Sequence, residues 1–418
     1  MDATTYIRKI ATAARKAAYN LAVSSGAARN GALLACAKAL RKRSGQLLKA
    51  NAMDLARKDE FNLSAAMIDR LRLGKTGIES MATALEQIAA QTDPVGQTIS
   101  AYNRPNGLRI EKRRVPIGVI GVIYESRPNV TADAAGLCLK SANACILRGG
   151  KESIHSNLAI AAVLREGLAA AGLPDDAVTV IDSPDHAIVT AMCKAQGLID
   201  LLIPRGGEKL IRAVTDAATI PVIKHYTGNC HVYVHAQADL GMAGRIVMNA
   251  KCQRPGVCNA AETLLVDSAV AKAFLAKIAR ELASAGVELR GDAAARKLVP
   301  SMKPAAEQDW YTEYLDMILA VRVVDGLEAA VEHINKYGSK HTDAIVTESL
   351  AAAGRFVAMV DSSSVMVNAS TRFSDGGEYG LGAEVGISTD KLHARGPMGA
   401  EDLTTYKWIV TGAGHVRE

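Results

Sequence analysis

The sequence has few aromatic residues, no long apolar run and no dense block of charge. Aromatic side chains make up 4% of the 418 residues. The longest apolar stretch, from Val115 to Tyr124, contains a proline and two glycines, whereas a membrane helix needs roughly 20 unbroken apolar residues. Asp2, Arg8 and Lys9 interrupt any apolar core of a signal peptide. We therefore expect a cytoplasmic protein without a membrane span.

Cysteines at metal-binding spacing are also missing. Seven cysteines, an odd number, are scattered through the chain without a CxxC pair, which is unlike a disulfide framework and favours a reducing compartment. No HExxH motif occurs, so the sequence predicts no metal site. The net charge of +6 arises from 49 basic and 43 acidic residues. Nucleic-acid binders concentrate basic residues more strongly, so we expect a small anionic substrate and no nucleic acid.

What the sequence does contain is a change of pattern near residue 115. Apolar residues recur at helical spacing before it, with one continuous pattern from Asn30 to Leu55. Pro105-Asn106-Gly107 then predicts the turn of a hairpin. From Val115 onward, short apolar runs alternate with helical stretches, which is typical of parallel sheets covered by helices. The first predicted strands are Gly118–Ile123, Cys145–Leu147, Val178–Ile181, Ile199–Ile203, Pro221–Ile223 and Val232–His235.

The alternation restarts after Asp239, which indicates a second α/β domain. Its predicted strands are Thr263–Val266, Leu319–Val324, Ala344–Val346 and Val365–Val367. Two doubly wound domains, each built on a parallel sheet, are therefore the expected fold class. The segment from Thr371 to Gly399 is rich in glycine and poor in apolar runs. Loops of that length are usually functional.

Cys258 is the strongest candidate for a nucleophile. It follows the Pro255-Gly256 turn, which predicts a loop, and Arg254 and Lys251 lie close to it in sequence. Cationic neighbours and backbone amides favour the thiolate, which is the reactive form of cysteine. The alternative is a small buried apolar residue. The same alternative is favoured for the five cysteines in apolar helix or strand contexts.

Two basic, glycine-rich turns follow predicted strands. They are Arg148-Gly149-Gly150-Lys151 and Arg205-Gly206-Gly207. Backbone amides at such turns can bind phosphate at the start of a helix, and the arginines can pair with it. Together the turns favour a dinucleotide site, although no GxGxxG motif is present. Plain strand-to-helix turns remain the alternative.

Several segments resemble one known family. They are residues 253–260 (QRPGVCNA), 330–345 (AVEHINKYGSKHTDAI), 380–388 (GLGAEVGIS) and 393–397 (HARGP). In these segments the chain is similar to the gamma-glutamyl phosphate reductase (glutamate-5-semialdehyde dehydrogenase) family of the aldehyde dehydrogenase superfamily. The resemblance covers nearly the whole chain.

That resemblance implies an aldehyde dehydrogenase-like architecture of two α/β domains and a small oligomerisation hairpin. We expect an NADPH-binding domain over residues 1–100 and 115–235. A catalytic domain would span 236–370, and a substrate and cofactor loop 371–399. Residues 101–114 and 400–418 would form the oligomerisation element of a homo-oligomer.

The resemblance also implies roles for individual residues. Cys258 would attack the substrate carbonyl, and Asn129 and the Cys258 amide would stabilise the carbonyl oxygen. The candidates for binding substrate anions are Arg127, Arg254, Arg372 and Arg395. The candidates for binding NADPH are Arg148, Gly149, Lys151, Arg205, Gly206, Gly207 and, at the nicotinamide ribose, Glu313.

One difference from ordinary aldehyde dehydrogenases bears on the direction of the reaction. An ungapped alignment places His225 where those enzymes have the glutamate that activates water. Its loss suits an enzyme that must reduce a thioester without hydrolysing it. The substrate would be glutamyl 5-phosphate, and a separate glutamate kinase chain would supply it. The alternatives are a reductase for aspartyl or N-acetylglutamyl phosphate, an oxidative aldehyde dehydrogenase, and a nucleotide-binding scaffold without activity.

Overall fold

The helical amino-terminal region consists of more separate helices than the apolar pattern predicts. The computed structural model describes residues 2–417, without the side chains of residues 65 and 66. Its first helices are Ala3–Ala22, Gly26–Lys42, Ser44–Ala56, Ala65–Leu71 and Lys75–Ala90. The predicted continuous pattern from Asn30 to Leu55 is broken at Arg43. The second of the two helices turns Asn51 and Asp54 inward, where they bind Leu71 and Ser156. A count of apolar residues does not register such buried polar contacts.

A four-stranded parallel sheet follows. Its spatial order is Val178–Val180, Ala144–Arg148, Val119–Tyr124 and Leu201–Arg205. The two central strands are wholly buried, as expected when helices cover both faces of a parallel sheet. The connecting helices are Asn129–Lys140, Ile154–Ala170, His186–Cys193 and Glu208–Ala217. The predicted strand Pro221–Ile223 is wrong, because only a single bridge joins Val222 to Leu202.

The second sheet has seven strands, and all of its pairings are parallel. Its order is Lys303–Pro304, Glu288–Gly291, Ile318–Val324, Ala261–Asp267, Cys230–Val234, Thr342–Val346 and Ser364–Val367. The helices on it are Leu240–Cys252, Ser268–Ser284, Ala293–Leu298, Gly326–Tyr337 and Leu350–Met359. The sequence analysis missed the first two strands, which are too short to give an apolar alternation.

An antiparallel arm of three strands projects from these sheets. Thr98–Asn103 pairs with Arg109–Pro116, which pairs in turn with Thr404–Thr411. The predicted hairpin turn is present, with Gly107 at φ 92°, a conformation that glycine adopts without strain. The arm carries large exposed side chains, Tyr102, Tyr406, Trp408 and Val410.

The glycine-rich segment contains little regular structure. It has a short 3₁₀ turn, Thr371–Phe373, and the strand pair Ile387–Ser388 and Gly396–Pro397. Further 3₁₀ turns occur at Lys151–Ser153, Asp175–Ala177 and Glu307–Tyr311. Within residues 2–417, no helix is both long enough and apolar enough to cross a membrane.

Candidate active site

Cys258 lies in a loop that two neighbouring groups fix tightly. The loop joins the helix Leu240–Cys252 to the strand Ala261–Asp267 and leaves Cys258 half-buried. A Cβ atom on Gly228 would lie 1.9 Å from the Cys258 carbonyl oxygen, so only glycine fits there. The buried Cys230 thiol donates to that same oxygen at 3.2 Å. The backbone of Cys258 is therefore held by the segment that precedes the strand Cys230–Val234.

The Lys251 ammonium pairs with a buried carboxylate, so it is not available to stabilise a Cys258 thiolate as the sequence suggested. It is wholly buried, and its Nζ donates to Glu262 Oε2 at 2.6 Å. Burial raises the pKa of Glu262 to about 7, against the opposing effect of Lys251. Because a buried cation needs a partner, Lys251 neutralises Glu262 beneath the loop. The sequence interpretation of Lys251 as an activator of Cys258 is corrected on this point.

Two histidines approach Cys258 from other segments. One ring nitrogen each of His225 and His341 and the Cys258 Sγ lie within 4.8 Å of one another. His225 Nδ1 lies 3.0 Å from the Ile387 carbonyl oxygen, which fixes the proton on Nδ1 because a carbonyl only accepts. Burial lowers the pKa of His341 to about 4. The sequence predicted no Cys/His cluster, since these three residues are far apart along the chain.

Several arginines lie near Cys258, the nucleophile that the sequence predicts. Burial, together with the nearby positive charges of Arg205, Arg70 and Arg254, lowers the pKa of Arg127 to about 10. The Cys258 thiolate acts on Arg127 in the opposite direction. Arg254 is exposed, and Arg70 donates to the Gly256 carbonyl of the nucleophile loop at 3.4 Å. Such a concentration of cations favours an anionic ligand.

Arg372 joins this group, whereas Arg395 does not. Arg372 donates to Gln253 at 2.8 Å and to Asn259, so it holds both ends of the nucleophile loop. Burial lowers its pKa, and Cys258 is among the charges that act on it. Arg395 instead donates to Asp361 at 2.9 Å. Its guanidinium is used in that ion pair, and the structure does not bring it to Cys258.

Asn129 lies at the start of the helix that follows the strand Val119–Tyr124. One N–H of its exposed side-chain amide donates to Asp133 at 2.9 Å, and an amide has a second N–H. Burial raises the pKa of Asp133 to about 6, against the effects of Asn129 and Arg205. The Asp133 carboxyl thus orients Asn129 beside the arginines.

The turn after the strand Leu201–Arg205 already binds a carboxylate. The Gly207 N–H donates to Glu125 Oε2 at 3.0 Å, and a Cβ on Gly206 would lie 2.6 Å from the same carboxyl group. Gly207 is the cap of the helix Glu208–Ala217, where backbone amides attract anions. Arg205 pairs with Glu384 of the glycine-rich segment at 3.3 Å.

The residues of the turn after the strand Ala144–Arg148 differ in their burial and in the groups that they contact. Arg148 is buried and donates to the Pro184 carbonyl at 3.3 Å, and burial lowers its pKa. A Cβ on Gly149 would lie 2.1 Å from the Asn157 amide nitrogen. Lys151 is exposed, with its Nζ 5.1 Å from the centre of the Phe61 ring. Of the two cations, Lys151 is therefore the one that can reach a ligand.

Glu313 lies near the segment that precedes the strand Cys230–Val234. It is half-buried, and burial raises its pKa, whereas a hydrogen bond from the Gly228 amide and the His341 ring lower it. Its carboxylate thus faces the segment that supports Cys258. The sequence analysis assigned Glu313 through the resemblance alone, and missed Arg70 and His341.

These features match a known class of enzymes. The family model described as the aldehyde dehydrogenase family matches residues 2–316. The chain belongs to that family. An acetylating aldehyde dehydrogenase from Geobacillus thermoglucosidasius shares the fold at 18% identity and a TM-score of 0.70, over 100% of this chain and 98% of its own. The expected fold class is confirmed.

Relatives within the family carry a more specific name. Gamma-glutamyl phosphate reductases from Geotalea daltonii and Geobacter metallireducens are each 55% identical over 412 residues, which is 99% of either chain. The crystal structure of gamma-glutamyl phosphate reductase from Thermotoga maritima has a TM-score of 0.96 and 45% identity, over 99% of this chain and 100% of its own. Within the superfamily, the chain belongs to the gamma-glutamyl phosphate reductase family, as the sequence resemblance predicts.

Proposed function

We propose that this enzyme reduces L-glutamyl 5-phosphate to L-glutamate 5-semialdehyde and phosphate with NADPH, through a thioester on Cys258. This is the second step of proline biosynthesis from glutamate. The observation that carries the proposal is the fixed Cys258 loop among Arg127, Arg254 and Arg372. Two anionic groups on the substrate need such cations, and the relatives at 55% identity bear the matching name.

In the first step, the Cys258 thiolate adds to the acyl carbonyl carbon. Asn129 and the Cys258 backbone amide donate to the carbonyl oxygen as negative charge develops there. Phosphate then leaves with the bonding electrons, and the thioester remains on Cys258. Arg127, Arg254 and Arg372 orient the carboxylate and phosphate, while Arg395 remains a weaker candidate because of its pair with Asp361.

NADPH, when bound, supplies the hydride that reduces the thioester carbonyl. Its phosphates would lie at Gly206 and Gly207, and the hydrogen bond from the Gly207 amide to the Glu125 carboxylate supports this assignment. Gly149, Lys151 and Arg205 would complete the phosphate site, whereas Arg148, which the sequence also predicts there, is buried against the Pro184 carbonyl and would support the turn. Glu313 would meet the nicotinamide ribose. The hemithioacetal then collapses to release the aldehyde and the Cys258 thiol.

His225 supports the reductive direction. A glutamate at this place would activate water against the thioester, whereas His225 carries no negative charge at that position and its Nδ1 donates to the Ile387 carbonyl oxygen at 3.0 Å. Water attack would return the acid and waste the acyl phosphate. We therefore expect slow hydrolysis of the thioester, because no carboxylate lies at position 225.

We assign one role to each of the two α/β domains, and further roles to the glycine-rich segment and the arm. Residues 1–100 and 115–235 would bind NADPH, residues 236–370 would carry the nucleophile, and residues 371–399 would form a substrate and cofactor loop. The arm of residues 101–114 and 400–418 would join copies of the chain, because its exposed aromatic side chains need cover. A cytoplasmic location and a glutamate kinase that delivers the labile acyl phosphate complete the proposal.

The test is the reverse reaction, measured with purified protein. Glutamate 5-semialdehyde and NADP⁺ should give NADPH only when phosphate is present. Cys258→Ala should abolish the reaction, and Cys252→Ala, six positions earlier in the same segment, should leave it. Reduction of NADP⁺ without phosphate would instead identify a hydrolytic aldehyde dehydrogenase and refute the assignment of His225.

A further inference from the structure

The cluster of Cys258, His225 and His341 has the geometry of a metal site. The three ligand atoms lie within 4.8 Å of one another and come from three separate segments. A tetrahedral zinc site places such atoms roughly 3.5 Å apart, given Zn–S and Zn–N bonds of about 2.3 and 2.0 Å. The three side chains therefore need to close by only about 1 Å.

Both histidines have a free nitrogen. Since His225 Nδ1 donates to the Ile387 carbonyl, its Nε2 keeps a lone pair. This backbone contact is also the one that orients metal-binding histidines. His341 is wholly buried, and its Nε2 has no hydrogen-bond partner among the described residues. A buried nitrogen without a partner is costly, and a ligand is one way to satisfy it.

We propose that Cys258, His225 and His341 bind Zn²⁺ as a three-ligand site that reversibly blocks the nucleophile. One thiolate and two imidazoles suit zinc and do not suit Mg²⁺ or Ca²⁺, which prefer oxygen ligands. On binding, a Zn–S bond forms and the thiol proton passes to solvent. The fourth position stays open to water or to an anion.

The charges around the cluster bear on the affinity. Arg127 and Arg372 oppose a dication near Cys258. Burial opposes positive charge at His341, and the carboxylates of Glu313, Glu384 and Asp343 favour it. These carboxylates would support a bound dication, whereas the arginines of the substrate side would oppose it. We expect bound substrate and zinc to exclude each other, and this last expectation rests on the proposed function.

Cobalt(II) titration of the purified full-length protein tests the site without reference to activity. The wild type should bind one equivalent and show a thiolate-to-cobalt charge-transfer band, which Zn²⁺ should displace. Cys258→Ser should lose the band. His225→Asn and His341→Gln should each weaken zinc binding about 100-fold or more, since loss of even an outer partner costs 10–100-fold. The matched controls Cys252→Ser and the exposed His186→Gln should bind as the wild type does.

The outcomes separate the two proposals. A wild type without the band, or a band that Cys258→Ser retains, would overturn the zinc site even if phosphate-dependent reduction is observed. Metal binding without that activity would keep the site and refute the function. If the circular dichroism spectrum shows that a variant is unfolded, wild-type protein alkylated at Cys258 is titrated in its place. The alkylated protein should not give the charge-transfer band. In active protein, Zn²⁺ should inhibit and a chelator should restore the rate.

Discussion

The two sides of the candidate site are built differently. On the nucleophile side, close contacts fix the backbone of Cys258: Gly228 packs against its carbonyl, and the buried Cys230 thiol donates to that carbonyl. On the phosphate side, exposed side chains such as Glu125 and Lys151 surround amides at the ends of parallel strands. A nucleophile needs fixed geometry throughout the reaction. A cofactor must enter and leave, so the groups that meet it must be able to move.

Gly228→Ala is the sharpest test of the rigid side. The new Cβ would lie 1.9 Å from the Cys258 carbonyl oxygen, so the nucleophile loop must shift. A displacement of about 1 Å costs about 100-fold in rate, so we expect kcat to fall by about that factor with little change in NADPH affinity. Gly256→Ala is the matched control, because its nearest contact is 3.7 Å. Equal effects of the two substitutions would contradict a rigid support at Gly228.

Arg372→Lys should have the next largest effect. Lysine keeps the charge but loses the planar fork that binds Gln253 and Asn259 together. We expect kcat/KM for the acyl phosphate to fall about 30-fold, roughly 2 kcal/mol. Arg395→Lys, at the Asp361 pair, should change it by less than about 3-fold. A stronger effect of Arg395→Lys would indicate that Arg395 binds the substrate.

Lys151→Ala tests the phosphate side, where the side chains are exposed. Lys151 is the exposed cation of its turn, and Arg148 is buried against Pro184. Loss of one charge-assisted contact to phosphate should raise KM for NADPH about 10-fold and leave KM for NADH unchanged. Steady-state kinetics with both cofactors decides the matter. A parallel rise for both cofactors would show that Lys151 binds a phosphate they share.

Acid should destabilise the fold through His333, which is buried on the helix Gly326–Tyr337. Burial lowers the pKa of His333 to about 2, so the folded state binds fewer protons than the unfolded state below pH 6.5. The free energy of unfolding should therefore fall as the pH drops from about 6.5 toward 4, by about 1–3 kcal/mol from this group. Urea titrations at several pH values should show a shallower dependence in His333→Gln. The exposed His186→Gln should keep the wild-type slope.

Sequence patterns correctly predicted the structural features that depend only on residues close together in the chain. The Pro255-Gly256 turn indicated a loop at Cys258, and the alternation after Val115 predicted most of the buried strands. The pattern could not show that Lys251 pairs with Glu262 beneath the loop, because the pairing depends on how the strand and helix pack.

Contacts between residues that are distant in sequence could not be predicted, because no sequence pattern marks them. His341 lies in a stretch that the family resemblance marked, but its approach to Cys258 follows from the order of neighbouring strands. Arg70 reaches Gly256 from a short helix 186 positions earlier. Short strands such as Glu288–Gly291 escaped because four residues give too little alternation.

The arm has a consequence for how the chain is made. Arg114 and Thr404, 290 positions apart, meet where the central strand of the arm pairs with its last strand. The strand Arg109–Pro116 therefore emerges from the ribosome long before Thr404–Thr411 exists to cover its edge. An uncovered edge can pair with another chain, and late closure exposes nascent protein to misassembly. The joining of copies that we propose for the arm must accordingly wait until translation of its last strand is complete.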